Sequence, residues 1–304
     1  MSMKTAKAIM LLPSLAFSEK IESRVDNIKT TLYNNIDITK NIYVKRSNEM
    51  KNIFDLTGKV AIVVGGSRGL GRGMAVGLAD AGATVIVASR NREALEVAAK
   101  EMSIQTGGNV VGIPLDVTSV NAIDAFVKKV GDKFGRIDIL INSAGINIRK
   151  PALEYSEAEW DEVTNTQMKY VFFMNRAVGK YMVEHSIKGR IINVGSISST
   201  VGLKNMIAYC SSKGAIVQMT KALANEWAQY GITVNSICPG YCFTEMTRPL
   251  LSNPEVLAKY EEKIPMGRLG EPEDMASTVV YLSCDASSYV TGQMIYVDGG
   301  WIVN

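Results

Sequence analysis

Tyr209 and Lys213 are the pair of residues in this sequence whose types and spacing most directly suggest chemistry. The Ala-rich stretch that runs to Trp227 predicts a helix, on which residues four apart share one face. A free phenol has a pKa of about 10, and a fixed cation nearby favours its ionised form. We therefore expect Lys213 to lower the pKa of Tyr209, which could exchange a proton with a ketone or an alcohol.

Ser196 lies thirteen residues before Tyr209, after the apolar run 191–195. This run is typical of a buried strand, and α/β enzymes place their chemistry where such strands end. The three residues alone are weak evidence, because Tyr and Lys four residues apart are common on helix surfaces. Their interpretation depends on the elements that position them.

Apolar strands and helices alternate from residue 59 onward. The predicted strands are 60–64, 83–88, 110–115, 137–141, 191–194, 233–237 and 293–297. The predicted helices are 69–81, 92–105, 120–134, 156–186, the one that carries Tyr209, and 275–282. Strands that are apolar throughout and joined by helices form a parallel sheet covered on both faces. The sequence thus predicts a single doubly wound α/β domain of Rossmann type with a seven-stranded parallel sheet.

Residues 1–49 differ in composition from the rest of the chain. They contain none of the 26 glycines, and their eight Lys and Arg against five Asp and Glu account for the whole net charge of +3. We expect an N-terminal extension that is poorly ordered or comes from an upstream start site, with an accessory helix or a targeting segment as alternatives. The Rossmann-type α/β domain is predicted to span 50–304.

Composition argues against several other classes of protein. Residues 50–304 are formally neutral, which does not suggest a nucleic-acid-binding surface. The apolar run 8–17 is too short to span a bilayer. The four cysteines show no Cys-x-x-Cys spacing and are remote in sequence from the single histidine, His185, which we expect to cap a helix. We therefore predict no metal site and no membrane segment, and reduced thiols in a cytoplasmic protein.

A glycine-rich loop separates the first predicted strand from the first helix. Glycines there let the backbone turn tightly and approach a pyrophosphate, which the helix N-terminus then holds. The strand before it and the helix after it are the context that this motif requires. The predicted cofactor-binding residues of the loop are Gly65, Ser67, Arg68, Gly69, Leu70 and Gly71.

The end of the second strand indicates which dinucleotide binds. An acidic residue there would bind the ribose hydroxyl of NAD, but the sequence is Ala88-Ser89-Arg90. Arg90, together with Arg68, could bind a 2′-phosphate. We therefore expect NADP(H) to be favoured over NAD(H), although Arg90 could equally begin a solvated helix.

Two further strand ends carry candidate cofactor contacts. Asp116 and Val117 follow the third strand, where the carboxylate could bind an adenine amino group. Asn142, Ala144 and Gly145 follow the fourth strand, and their small size would let the chain pass close to the cofactor. Each could also be an ordinary turn residue.

These features together resemble the short-chain dehydrogenase/reductase family over nearly all of residues 55–304. The matching motifs, in order, are the glycine loop, 142–145, Ser196, 209–213, Pro239-Gly240 with Thr244, 267–274 and 298–300. The resemblance implies that Tyr209 is the general acid/base, that Lys213 lowers its pKa and holds the nicotinamide ribose, and that Ser196 orients the carbonyl. It also implies that Pro239, Gly240 and Thr244 contact the cofactor and that the protein is a homotetramer.

Two positions depart from the family pattern. Val64 replaces the usual threonine before the first glycine, and Gln167 stands where a catalytic asparagine is expected. That asparagine ordinarily helps to hold a water molecule that links the lysine to solvent. Glutamine offers the same amide one methylene further out, so a repositioned water could still bridge.

The substrate is less strongly indicated than the reaction. The segment 54–59 and the loop 144–151 are most similar to gluconate 5-dehydrogenases, and Arg149 and Lys150 could receive a carboxylate. The alternative is a 3-oxoacyl-acyl-carrier-protein reductase, which shares these motifs. A segment over 241–264, with Met246, Leu250 and Leu251, is predicted to form the lid that selects between them. A dinucleotide-binding regulatory protein without catalysis is a third hypothesis, because of Gln167.

Overall fold

The protein is seen here as a computed structural model that describes residues 53–245 and 247–303, apart from the side chains of 249 and 250. The predictions made for residues 1–49, for Met246 and for the side chain of Leu250 lie outside the described residues. The boundary of the N-terminal extension stays a prediction.

Seven parallel strands form one sheet in the order β3-β2-β1-β4-β5-β6-β7. The strands are β1 (Val60–Val64), β2 (Thr84–Ser89), β3 (Val110–Pro114), β4 (Ile139–Asn142), β5 (Arg190–Val194), β6 (Thr233–Pro239) and β7 (Met294–Val297). Each pairs in parallel with its neighbours, for example Val63 with Val87 on one side and with Ile141 on the other. The predicted doubly wound fold is confirmed.

Helices cover both faces of the sheet. They are α1 (Gly69–Asp80), α2 (Arg92–Thr106), α3 (Val120–Phe134), α4 (Glu157–Thr164), α5 (Tyr170–Glu184), α6 (Ile207–Trp227), α7 (Arg248–Leu251), α8 (Pro254–Glu261) and α9 (Ala276–Ser283). Alternate residues of the strands enter two separate cores, as Val85 and Val87 do on one face and Ile86 and Ala88 on the other. This is the period of two that a strand imposes.

Local sequence explains where the crossover helices begin and end. Asn91 and Ser119 accept a hydrogen bond from the third residue of α2 and α3, which satisfies one of the free amides of each first turn. Gly107 and Gly135 end the same helices at φ of 66° and 73°, the left-handed conformation that glycine adopts without strain.

The structure differs from the sequence prediction mainly within 156–186. This stretch is not one regular helix, because a π-helical segment, Asn165–Lys169, separates α4 from α5. Elsewhere most element ends lie within two residues of the predicted positions, and β1 and α3 have the predicted bounds. His185 ends α5 as predicted, with Nδ1 2.9 Å from the carbonyl oxygen of Tyr181.

Three sequence expectations concern sites other than the cofactor site. Among the described residues, no helix is long and apolar enough to cross a membrane, and no cluster of three or more His, Cys, Asp or Glu could hold a metal ion. All four cysteines are free thiols, as predicted, and three of them are buried.

Candidate active site

The predicted site residues lie at one edge of the sheet. Because all strands are parallel, the carboxyl ends of β1 to β6 meet at that edge. The chain order reverses between β1 and β4, which are hydrogen-bonded neighbours. A crevice at such a switch point is where open α/β sheets bind their ligands.

The glycine loop occupies the turn from β1 into α1. Gly65 and Gly69 adopt φ of 80° and 52°, and a methyl group at Gly71 would lie 2.2 Å from the carbonyl oxygen of Gly65. The residue that precedes α1, Arg68, forms no side-chain cap, and no acidic residue lies in the first turn. A helix N-terminus with free amides and no competing carboxylate fits an anionic pyrophosphate.

The predicted adenosine contacts lie beside this loop, at the ends of β2 and β3. Arg90 is exposed just past β2. Hydrogen bonds from Thr118 lower the pKa of Asp116, and the charge of Arg90 lowers it further. Arg68 is also exposed, and its Nε lies 3.2 Å from the carboxylate of Glu245 in the loop after β6. Arg68 therefore has a carboxylate partner that the sequence did not indicate.

A buried amide network supports the ends of β4 and β5. Asn142 donates hydrogen bonds from Nδ2 to Oδ1 of Asn175 at 2.7 Å and to Oδ1 of Asn193 at 2.9 Å. Asn193 in turn donates to the hydroxyl of Thr220 at 3.0 Å. This network joins β4, β5, α5 and α6 beneath the site, so Asn142 has a structural role in addition to its predicted place beside the cofactor.

Ala144 and Gly145 form the loop after β4, close to the glycine loop. A methyl group at Gly65 would lie 2.7 Å from the backbone of Ala144, so this close approach requires glycine. The buried hydroxyl of Tyr170 donates to the carbonyl oxygen of Ala144 at 2.8 Å and fixes the loop from α5.

Ser196, Tyr209 and Lys213 are brought together between β5 and α6. The side chains of Ser196 and Tyr209 are hydrogen-bonded, and Nζ of Lys213 lies 5.4 Å from the centre of the Tyr209 ring, on the predicted shared face. Lys213 Nζ donates to the carbonyl oxygen of Val194 at 2.8 Å. Ser199 accepts from the Ser196 amide and donates to the Lys213 carbonyl, which links the strand end to the helix.

The pKa of Tyr209 differs from the sequence expectation. Burial of the phenol raises its pKa to about 12, and the hydrogen bond with Ser196 only partly offsets this. Burial also lowers the pKa of Lys213 to about 8. The expected lowering of the Tyr209 pKa is therefore wrong for this geometry, because loss of hydration on burial is the largest influence on both groups. At neutral pH the phenol holds its proton.

Gln167 lies in the π-helical segment, with only 1% of its surface exposed. Its Nε2 donates to the carbonyl oxygen of Ile146 at 2.5 Å, while its Oε1 is buried without a hydrogen-bond partner among the described residues. A methyl group at Gly145 would lie 2.6 Å from both of these amide atoms. Gln167 thus packs directly under the loop that follows β4.

A cavity of about 250 Å³ opens over Ser196 and Tyr209. Gly240 after β6 forms part of its wall, and Thr244 lies 3.7 Å from the position of a methyl group at Gly69, so the loop after β6 reaches the glycine loop. Pro239 ends β6 and is buried. The other lining residues are Asn147, Arg149, Ile197, Ser198, Leu203, Met206, Tyr241 and Thr247.

Asn147 lies in the loop 144–151, and Tyr241 and Thr247 lie in the segment 241–264 that was predicted to form the lid. Met206, in the loop before α6, was not predicted, because it belongs to no motif with a chemical signature. Lys150, which was predicted to receive a carboxylate with Arg149, instead pairs with Glu159 at 3.0 Å. Arg149 lines the cavity as expected, and Lys150 is not among the lining residues.

Comparison with known proteins extends over nearly the whole described chain. A family model described as enoyl-(acyl carrier protein) reductase matches residues 64–302. A 2-dehydro-3-deoxy-D-gluconate 5-dehydrogenase from Dickeya dadantii (strain 3937) is 41% identical over 251 residues, which cover 83% of this chain and 98% of that protein. A 3-oxoacyl-acyl-carrier-protein reductase from Vibrio harveyi is 39% identical over 246 residues, 81% of this chain and 98% of that protein.

A solved structure also resembles this chain over nearly all of its described residues. The crystal structure of a gluconate 5-dehydrogenase from Burkholderia cenocepacia J2315, in complex with NADP and tartrate, superimposes with a TM-score of 0.80 at 31% identity. The match covers 83% of this chain and 98% of that chain. The two chains therefore share the same fold.

Proposed function

Because the chain belongs to the short-chain dehydrogenase/reductase family, we propose that it interconverts a ketone and a secondary alcohol of a sugar acid with NADP(H). The observation that supports this most strongly is the convergence of Ser196, Tyr209 and Lys213 under a cavity that also contains Arg149. The nicotinamide, when bound, supplies or accepts the hydride. The chain itself contributes the proton, the orientation of the carbonyl and the binding of the acid group.

Tyr209 is the proton donor in the reducing direction. With its pKa at about 12, the phenol is fully protonated at neutral pH, and Ser196 beside it can donate a second hydrogen bond to the same carbonyl oxygen. The hydroxyls stabilise the negative charge that develops on that oxygen in the transition state. Lys213, an ammonium with a pKa near 8, adds positive charge below the phenol.

The cofactor preference rests on charge at the end of β2. Arg90 is exposed there, with no carboxylate at the position that would bind a ribose hydroxyl of NAD. Arg68 lies on the glycine loop, and a 2′-phosphate would compete with Glu245 for its guanidinium. Arg90→Asp should therefore raise the KM for NADPH by about tenfold or more, the equivalent of one charged contact. An unchanged ratio of kcat/KM for NADPH and NADH would remove the basis for this preference.

The acid group of the substrate is assigned to Arg149. This guanidinium lines the catalytic cavity, and its charge favours the ionised forms of both Tyr209 and Tyr241, which places it within electrostatic reach of the reacting centre. The relatives named as sugar-acid dehydrogenases support the same substrate class. The 39% identical acyl-carrier-protein reductase keeps a 3-oxoacyl thioester as the second candidate substrate.

The test is NADPH oxidation at 340 nm with 5-keto-gluconate and an acetoacetyl thioester as separate substrates. Tyr209→Phe removes the proton donor without creating a cavity, and should lower kcat by about 100-fold to 10,000-fold, the usual contribution of a general acid. Tyr181→Phe is the control, because it removes the hydroxyl of a partly buried tyrosine on helix α5 that does not line the cavity. Equal turnover by Tyr209→Phe and wild type would refute the assignment.

The regulatory alternative makes the opposite prediction. A protein that only binds the dinucleotide would bind NADPH with unchanged affinity in Tyr209→Phe and would oxidise it with neither ketone. The intact set of Ser196, Tyr209 and Lys213 supports the enzyme.

We also propose a homotetramer in the cytoplasm. Strand β7 lies at the edge of the sheet with all four residues partly exposed, and Val303 after it is 82% exposed. Apolar surface on an edge strand is usually covered by another chain. Light scattering at micromolar concentration would measure the assembly, and four free thiols fit a reducing compartment.

A further inference from the structure

The catalytic cavity continues into a second chamber of about 340 Å³. We call the cavity over Ser196 and Tyr209 the inner chamber and this second one the outer chamber. Four residues line both and form the passage between them: Arg149, Leu203, Met206 and Tyr241. A ligand whose reacting carbon lies in the inner chamber would therefore extend past Arg149 into the outer one.

Helix α8 presents one face to the outer chamber. Val256, Lys259 and Tyr260 are spaced i, i+3 and i+4 along the helix, and Lys263 lies two residues past its last residue, Glu261. Residues at this spacing share a side of a helix. A helix side directed at the protein is normally apolar, whereas this one carries the cation Lys259 and is followed, past the helix end, by a second cation, Lys263, which suggests a charged occupant.

The charge of the outer chamber is entirely positive. Arg149, Lys204, Lys259 and Lys263 line it, and no carboxylate does. Within the described part of the chain, no salt bridge engages Arg149, Lys204 or Lys259. Like charges gathered around one recess repel each other, and an anion in the recess relieves that repulsion.

Aromatic rings form the remaining wall. Tyr241 contacts Tyr260 edge to face at 4.4 Å between ring centres, and Trp301 at 5.9 Å. Burial raises the pKa of Tyr241, so this phenol adds no negative charge near neutral pH. The chamber thus combines cations with rigid, uncharged rings, a setting suited to a polyol chain that ends in an acid group.

We propose that the outer chamber is an anion subsite, in which Lys204 and Lys259 together with Arg149 hold the acid end of the substrate. This inference rests on the proposed function for the identity of the reacting group, and it goes beyond it by separating the two ends of the substrate. The carbonyl that is reduced lies with Ser196 and Tyr209, and the carboxylate lies beyond the passage. Keto acids whose two groups are several carbons apart are the class that fits both chambers.

The kinetic test compares wild type with Lys204→Gln, Lys259→Gln and the double variant, using 5-keto-gluconate and NADPH. KM for the keto acid should rise by about tenfold in the double variant, since each lost charged contact at an exposed site weakens binding modestly. The kcat should stay within about twofold, because neither lysine reaches the inner chamber. Lys100→Gln, an exposed lysine of α2, is the control and should leave KM unchanged.

A binding test separates this proposal from the proposed function. Calorimetric titration in the presence of NADPH, with which neither alcohol can react, compares D-gluconate with sorbitol, which has the same six-carbon chain without the charge. Wild type should bind gluconate more tightly, and the double variant should lose that preference even if no ketone is turned over. Turnover with an unchanged KM and an unchanged preference in the double variant would overturn the subsite and leave the reductase standing.

A carrier protein is the rival occupant. If the lysine changes raise KM for an acetoacetyl group on an acidic carrier protein and leave KM for 5-keto-gluconate unchanged, the chamber is a carrier docking site and the proposal fails. Raised salt provides a further check, because exposed charges are screened. KM for 5-keto-gluconate should rise with ionic strength in wild type and much less in the double variant.

Discussion

Gly145 and Gln167 provide a stringent test of the geometry under the cofactor loop. In Gly145→Ala, the new methyl group would lie 2.6 Å from both Nε2 and Oε1 of Gln167. Ordinary contacts at such atoms begin near 3.4 Å, so the amide must retreat. It cannot do so freely, because it is buried and bonded to the carbonyl oxygen of Ile146.

The cost follows from the two interactions that the retreat disturbs. Overpacking a well-filled site costs about 1–3 kcal/mol, and leaving a buried hydrogen-bonding group unsatisfied costs about 1–3 kcal/mol. We expect Gly145→Ala to lower the free energy of unfolding by about 2–4 kcal/mol. Gln167→Ala should lower it by about 1–3 kcal/mol through the lost bond to Ile146. In the double variant the methyl group introduced at position 145 enters the space that the Gln167 amide has vacated, so the destabilisation caused by Gly145→Ala should nearly vanish.

The assay is urea unfolding of the four proteins, followed by circular dichroism at one fixed protein concentration. The double variant should lose about 2 kcal/mol less free energy of unfolding than the two single variants lose together. For independent sites, the combined loss equals the sum of the single losses within about 0.5 kcal/mol. Gly202→Ala is the control, because a methyl group there meets no atom within 4 Å. Strict additivity of the two changes would refute the placement of Gln167 beneath Gly145.

Two further predictions concern stability. Gly214→Ala lies within α6, and the nearest atom is 3.9 Å from the new methyl group. This change should raise the free energy of unfolding by about 0.5–1 kcal/mol and Tm by about 2–4 °C. Gly179→Ala should lower the free energy of unfolding and Tm, because its methyl group would lie 2.7 Å from the Trp227 ring. Burial lowers the pKa of Lys213 from 10.5 to about 8. Between these pH values the unfolded chain binds a proton that the folded chain does not. The free energy of unfolding of wild type, relative to that of Lys213→Met, should therefore rise as the pH increases from 8 to 10. Tyr209 is present in both proteins, so its own titration contributes to both. The assay is urea unfolding at pH 7, 8, 9 and 10, and a constant difference in the free energy of unfolding between the two proteins would contradict the prediction.

The local sequence was sufficient to predict the fold and the grouping of Tyr209 with Lys213. Apolar strands separated by helices of regular length have one common architecture, and caps such as Ser119 and Gly135 set the helix ends. Tyr209 and Lys213 were predicted to share a face because a helix has a fixed repeat. The glycine loop was predicted because glycines between a strand and a helix let the backbone turn tightly, and the close approach of Gly71 to Gly65 in the structure requires glycine.

The features that the sequence could not give depend on distant segments. The pKa of Tyr209 was predicted to be lowered, and it is raised, because the phenol is buried in the folded chain. Lys150 was predicted to receive a carboxylate and instead pairs with Glu159 of α4, a neighbour that no local pattern indicates. The π-helical segment was not predicted either, and its Gln167 bonds to Ile146, a residue 21 positions earlier in the chain.

The sequence by itself thus determined the sheet, the crossover helices and the chemical types at the strand ends, since these follow from periodicity and from short-range sterics. Only the tertiary structure decided which of those residues share one cavity. It joined Arg149, Lys204 and Lys259, which lie far apart along the chain, around a single outer chamber beside the cavity at Ser196 and Tyr209. Hydration and charge at a site depend on every segment that encloses it, and that enclosure exists only once the chain has folded.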